Sequence, residues 1–216
     1  MNQPLAIDLF CGLGGWTDGL LAEGYYVVGF DITRHVYGDL RYPAQLVVQD
    51  VTTLHGSQFR NADLIVASPP CQGYSYRAMP WKAAKALAPP DNTLFESCFR
   101  IQREACEAAG RHIPMIVENV RGAQKWVGRA RWSFGPFCLW GDVPALMPPA
   151  QGIRKGMNCG RASDGQRQYG GPNDPRRFGS KSIQRKKASA EAAKIPLPLS
   201  RFIAATFRPQ IAQAAE

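Results

Sequence analysis

The sequence predicts an α/β fold: a mostly parallel sheet with flanking helices, plus a small basic irregular region. Three observations carry this. Short apolar runs suited to buried strands alternate with helical spacing, the mark of βαβ units. Asp31, Asp50, Cys71 and Glu118 each stand just past the carboxyl end of such a run, on the edge where open α/β sheets place ligands and chemistry. Charge is also segregated. Between Ala150 and Ala188 ten basic residues stand against two acids, Asp164 and Asp174, so nearly all of the net charge of +9 lies there.

The apolar run at 5–9 predicts a first strand, followed by a Gly-rich turn at 12–15 and a short helix over 16–23. Tyr25 to Phe30 predicts a second strand ending at Asp31, and Gln45 to Val48 a third ending near Asp50. Leu64 to Ala67 predicts a fourth, which runs into Ser68-Pro69-Pro70-Cys71-Gln72. Leu94, Cys98, Ile101, Ala105 and Ala108 keep helical spacing over 93–109, closed by Gly110. His112 to Val117 predicts a fifth strand, ending at Glu118-Asn119. Beyond Pro149 apolar density falls and recovers only over Ile195 to Phe207, which predicts a returning helix. The expected organisation is 1–149 as the main domain, 150–190 as a basic irregular region, and 191–216 as a segment returning to the domain.

At 216 residues and 45% hydrophobic, the chain suits one compact domain with at most a small appendage. No stretch approaches the ~18 uninterrupted apolar residues of a membrane span. An apolar strand begins at Leu5, so no secretory leader is expected, and the expectation is a cytoplasmic monomer. The six cysteines (11, 71, 98, 106, 138, 159) form no Cys-x-x-Cys pair, which argues against a zinc ribbon and for free thiols. The basic 150–188 stretch has the electrostatics of a polyanion partner, or else of a solvated linker.

Two motifs carry chemistry. Prolines restrict their own φ and the residue before them, so Pro69-Pro70 set the direction of the Cys71 thiol at the sheet edge. A cysteine held this way suits a nucleophile, although a lone cysteine can equally be a small buried hydrophobe. Phe10-Cys11-Gly12-Leu13-Gly14-Gly15 follows strand one, with Asp31 19 residues after Gly12. That layout suits a nucleotide-type cofactor, with the acid taking ribose hydroxyls. Thr17 stands where a dinucleotide fingerprint needs glycine, so a single-nucleoside cofactor fits better; a purely structural turn is the alternative. Asp50 could bond an adenine amino group with Val51 packed on the ring, or simply cap a helix.

Four blocks in order, Asp8-Leu9-Phe10-Cys11-Gly12-Leu13-Gly14-Gly15, Gly29-Phe30-Asp31, Ser68-Pro69-Pro70-Cys71-Gln72 and Glu118-Asn119-Val120, resemble the cytosine-5 DNA methyltransferase family. The resemblance covers residues 5–120 and implies a Rossmann-like fold that uses S-adenosylmethionine. It implies donor contacts from Phe10, Gly12, Gly14, Asp31, Ile32, Asp50, Val51 and Leu94. Ile195, in Ile195-Pro196-Leu197-Pro198-Leu199, matches the family's last block, which returns to the donor; the Gly-Asn expected before it is replaced by Ala192-Ala193. The family's Gln-x-Arg-x-Arg strand is incomplete. Gly128-Arg129-Ala130-Arg131 keeps both arginines, and Val127 stands at the glutamine position. Arg131 is assigned to the base carbonyl, with phosphate contact or a plain surface pair as the alternative. The stretch between Val120 and Ile195 is short, implying a reduced target-recognition region.

The chemistry implied is attack by Cys71 on carbon 6 of cytosine, which makes carbon 5 nucleophilic enough to take a methyl group. Glu118 would hydrogen-bond or protonate ring nitrogen 3, for which a carboxyl pKa raised by burial is expected. Pro70 and Asn119 would hold the Cys71 turn. A duplex cytosine must be flipped to reach such a site. Tyr74, Tyr76, Arg77, Trp81, Lys82 and Lys85 in the 72–92 loop suit a lid over nucleic acid, or one packed on protein alone. RNA or free cytidine nucleotides are alternative substrates, and a non-catalytic nucleic-acid-binding protein is a third possibility.

Overall fold

A computed structural model describes residues 3–75, 88–148, 179 and 181–209. Tyr76, Arg77, Trp81, Lys82 and Lys85 of the loop after Cys71, Cys159, and most of the 150–188 basic stretch lie outside the described residues. So do residues 76–87, the greater part of the expected 72–92 lid. Among the described residues no helix is long and apolar enough to cross a membrane. Cys11, Cys71, Cys98 and Cys106 are free thiols.

The described chain forms β1 (Leu5–Leu9), α1 (Gly15–Ala22), β2 (Tyr26–Asp31), β3 (Val36–Tyr37), β4 (Leu40–Arg41), β5 (Gln45–Val48), β6 (Leu64–Ala67), α2 (Thr93–Ala109), β7 (Met115–Val120), α3 (Gln124–Val127), β8 (Trp132–Phe134), β9 (Phe137–Gly141), α4 (Ile183–Ala193) and α5 (Leu197–Phe207). Seven strands make one sheet in the order β5-β2-β1-β6-β7-β9-β8; β3 and β4 form a separate hairpin. Pairing is parallel from β5 to β7 and antiparallel at β7–β9 and β9–β8. This is the Rossmann-like arrangement. Strand order reverses beside β1, between β1 and β6, and the crevice past their carboxyl ends is where such sheets bind ligands.

Strand parity divides the core into two layers. Ile7, Leu9, Ile65, Ala67, Met115 and Val117 face the α2 side with Phe95, Cys98, Ile101 and Ala105. Ala6, Leu64, Val66 and Ile116 face the α1/α5 side with Trp16, Leu20, Leu199, Ile203 and Ala204. Parallel strands covered on both faces must be apolar on both, which is why β6 is buried at all four positions. Two glycines let the helices of the second layer close: a Cβ on Gly15 would overlap the Ile195 backbone, and one on Gly19 the Ser200 backbone.

The structure corrects the predicted elements in three places. The fifth strand is Met115–Val120 rather than 112–117, so Glu118 and Asn119 lie within it. Its parallel pairing with β6 stops at Val117↔Ala67, and β9 extends it by pairing Glu118↔Leu139 and Asn119↔Cys138. The β3–β4 hairpin and the β8–β9 pair were not anticipated. Residues 183–190, expected to be irregular, and 191–193 of the returning segment together form α4, which opens with Ser182 Oγ accepting the Arg185 N–H at 3.2 Å. Gly128–Arg131, where the family's strand is incomplete in the sequence, is the connection leading into β8.

Candidate active site

The two sequence motifs meet at the reversal point of the sheet. The turn after β1 is wound tightly. Phe10, Gly12 and Gly14 all take positive φ, at 56°, 52° and 76°. For Phe10 this is the left-handed region, which costs a side chain of its size on the order of 1–2 kcal/mol and persists only where the surroundings hold it. They do. The Cys11 N–H donates to Phe30 O at 3.1 Å, the Gly14 N–H to Cys11 O at 2.8 Å, and the Gly12 N–H to Asp31 Oδ2 at 3.0 Å. Burial would push the Asp31 carboxyl up, but His35 and the N–H groups of Gly12 and Thr33 outweigh it and hold the carboxyl below its ordinary value. The same contact raises His35, despite its partial burial.

Nothing lies within 4 Å of where a Cβ on Gly12 would stand, so the turn opens on free space. Ile32, next to Asp31, is 69% exposed. Both Asp31 oxygens already accept bonds from protein, yet a carboxylate offers about four acceptor sites, leaving room for hydroxyl donors. Asp50 accepts from Thr52 N at 2.9 Å and Thr52 Oγ1 at 2.8 Å, capping the turn Val51–Thr53, with Val51 buried beneath it. Leu94 is half-buried at the start of α2. Ile195 is buried against Gly15, and the ion pair of Lys194 Nζ with Asp18 at 2.7 Å secures the segment that brings it there.

The second motif follows β6. Cys71 is half-buried and opens the turn Gln72–Tyr74, with its carbonyl accepting from Tyr74 N at 3.0 Å and Ser75 Oγ at 2.8 Å. Pro69 is buried and Pro70 exposed. Asn119 Nδ2 donates to Pro69 O at 3.0 Å while its Oδ1 accepts the Val120 N–H at 2.8 Å, so β7 holds the Cys71 turn directly. Tyr74 OH donates to Asn92 Oδ1 at 2.9 Å, tying the far side of the turn to the start of α2. Glu118, beside Asn119, is only 5% exposed. The two motifs are themselves joined, because Trp16 Nε1 donates to Ser68 Oγ at 3.0 Å.

Arg131 is exposed, and its N–H donates to Leu139 O at 2.9 Å; Leu139 in turn pairs with Glu118, so one strand separates them. The arginine connection is held at two further points, by Trp140 Nε1 donating to Gly128 O at 3.0 Å and the Ala130 N–H donating to Gln124 Oε1 at 3.2 Å. Arg129 and Arg131 thus project from a restrained backbone. Gln124, three residues before the expected glutamine position, was not singled out from the sequence.

Sequence reasoning also missed a buried chain below the first turn. Asp8 Oδ2 accepts from Thr17 Oγ1 at 2.6 Å, and Thr17 Oγ1 shares a 2.6 Å hydrogen bond with Tyr42 OH. Burial, with Asp31 and Asp18 adding to it against the Thr17 hydrogen bond, pushes the Asp8 carboxyl up to about 8. Burial and the nearby Asp8 also push the Cys11 thiol and the Tyr42 hydroxyl up. The available signal was an acid at a core-facing position of an otherwise apolar strand.

Comparison with known proteins adds to this geometry. The family model described as C-5 cytosine-specific DNA methylase matches residues 5–126. That span includes the glycine turn, Cys71, Glu118 and Asn119, and leaves Arg131 and Ile195 outside. The Type II methyltransferase M1.HphI of Haemophilus parahaemolyticus is 33% identical over 106 residues, which is 44% of this chain and 28% of that protein. Among solved structures, the S. pombe Dnmt2 methyltransferase aligns with a TM-score of 0.40 at 17% identity, over 57% of this chain and 36% of its own. The Entamoeba histolytica methyltransferase EhMeth aligns with a TM-score of 0.40 at 19% identity, over 58% and 40% respectively.

Proposed function

This chain belongs to the C-5 cytosine-specific DNA methylase family, and on that footing we propose that it transfers a methyl group from S-adenosylmethionine to carbon 5 of cytosine in DNA. The observation that supports this most is the hydrogen bond from Asn119 to Pro69 O, which joins the Cys71 turn to the strand carrying Glu118. The free space over Gly12, the exposed Ile32 and the remaining acceptor capacity of Asp31 suit a nucleoside-bearing donor. Phe10, Gly12, Gly14, Asp31, Ile32, Asp50, Val51, Leu94 and Ile195 would hold it. S-adenosylmethionine supplies the electrophilic methyl group.

The residues divide the rest of the chemistry. The Cys71 sulfur bonds to carbon 6 of the ring, and the displaced electron pair moves toward nitrogen 3 and the carbonyl oxygen. Glu118 stabilises nitrogen 3 by hydrogen bond or proton, a contact that strengthens only as attack proceeds. Arg131 would meet the base carbonyl. Once carbon 5 carries the methyl group, it loses its proton and the Cys71–carbon 6 bond breaks by β-elimination, restoring the thiolate. Burial of Glu118 keeps water from competing for nitrogen 3.

In this reading residues 1–149 are catalytic, the 150–190 basic stretch is a reduced target-recognition element for phosphates, and 191–216 return to the donor side. The cell compartment is the cytoplasm and the working unit a monomer. The test is to incubate labelled S-adenosylmethionine separately with duplex DNA, single-stranded DNA, tRNA and dCMP. Nucleoside mass spectrometry should find 5-methylcytosine in a DNA arm and none with Cys71→Ser. Label in tRNA or dCMP alone would replace DNA as the substrate, and label in no arm would refute the activity.

A further inference from the structure

Residues 33–44 belong to neither motif, yet they end inside the first one. The β3–β4 hairpin delivers Tyr42-Pro43 beneath the glycine turn, and Tyr42 is only 8% exposed. Its ring lies so close to Gly29 on β2 that a Cβ there would overlap it. Pro43 stands against Gly14 in the same way: an added Cβ would fall 2.5 Å from Pro43 Cδ and 3.2 Å from Tyr42 Cδ2. The Tyr42 hydroxyl completes the buried oxygen chain through Thr17 on α1 to Asp8 on β1. Three elements that flank the turn are therefore bonded to one another directly below it.

We propose that Tyr42 is a positioning residue for the methyl-donor site, acting through Thr17 and Asp8 to hold the Phe10–Gly14 turn in its binding conformation. The inference rests on the donor reading given above. Its physical basis is the backbone of the turn, where three of five residues take positive φ, one of them Phe10. Such a conformation is kept by its surroundings rather than by its own preference. Loosening the support lowers the fraction of molecules with a competent turn, and apparent donor affinity falls by that fraction. Tyr42 supplies support of two kinds: shape, through its ring on Gly29, and a hydrogen bond, through its hydroxyl on Thr17. Only the second is lost in Tyr42→Phe.

The experiment measures the affinity of the full-length protein for S-adenosylmethionine and S-adenosylhomocysteine by calorimetry, in wild type, Tyr42→Phe, Thr17→Val and the double variant. Tyr42→Phe should bind both ligands about five- to tenfold more weakly, as expected for one buried hydrogen bond. Thr17→Val should show a loss of the same order, and the double variant little more than the larger single loss, because both changes break one chain. A merely structural role would lower the melting temperature and leave affinity at 25 °C unchanged, and that result overturns the proposal. Additive losses in the double variant overturn it too, since they would mean two independent effects. A wild type that binds neither ligand removes the donor reading itself, whereas a wild type that binds beside an unaffected Tyr42→Phe removes only the role of Tyr42.

Discussion

Replacing Asp8 by asparagine should flatten the dependence of stability on pH. Asp8 is 1% exposed, and its carboxyl is pushed up to about 8, chiefly by burial. In the unfolded chain it titrates near ~4. Between about pH 5 and 7 the folded protein therefore holds a proton that the unfolded chain has released. Stability must fall as pH rises through that window, by about 1.4 kcal/mol per unit for one proton. The penalty is absent below pH ~4, grows across the window, and levels off above the folded value. Over the two units from pH 5 to 7 it reaches about 3 kcal/mol, or about 6–12 °C in melting temperature for a chain of this length. Asparagine cannot ionise, and any cost of its amide is the same at every pH. Melting curves of wild type and Asp8→Asn at pH 5, 6 and 7, at constant ionic strength, should thus diverge steadily in favour of the variant as pH rises. Parallel profiles would show that Asp8 is ionised in the folded protein, and the account of its burial would be wrong.

Gly19→Ala should cost about 2–3 kcal/mol in denaturant unfolding, because the new methyl group overlaps the backbone at Ser200 and Arg201 and α1 and α5 must separate; a neutral result would mean the helices do not approach that closely. Asn119→Ala should slow methyl transfer about 10- to 100-fold by releasing Pro69 and with it the direction of the Cys71 thiol, read as turnover at saturating donor and DNA. Replacing Arg129 and Arg131 together with alanine should weaken DNA binding and reduce the slope of log affinity against log salt by roughly one to two. An unchanged slope would leave them as surface residues without a phosphate contact.

Much of the architecture is legible in the residues because it depends on local pattern. The short run Leu64–Ala67 between polar neighbours suits a covered strand, and the Leu94–Ala108 spacing followed by Gly110 outlines α2, whose cap takes φ 63°. Features that depend on distant partners are harder to read. β7 runs three residues past its expected end because β9 pairs with it, and β9's own residues give no sign of that register. The β3–β4 hairpin is built from two-residue strands, too short for alternation to register, and Gly38-Asp39 at its turn was the one available signal. At the site, Asp31 beneath Gly12 follows from the motif spacing. The Asp8–Thr17–Tyr42 chain does not, since it forms only when Thr17 from α1 reaches the buried acid and Tyr42 from the hairpin segment reaches Thr17 in turn.

The most direct measurement traps the attack itself. DNA carrying 5-fluorocytosine cannot lose a proton from carbon 5, so an enzyme that bonds to carbon 6 and adds the methyl group cannot then let go. Incubated with such DNA and S-adenosylmethionine, the wild-type protein should form a one-to-one denaturation-resistant adduct whose peptide mass maps to Cys71, and Cys71→Ala should form none. Turnover-competent protein that yields no adduct, or an adduct that survives the Cys71→Ala change, would contradict the assignment of that thiol as the nucleophile.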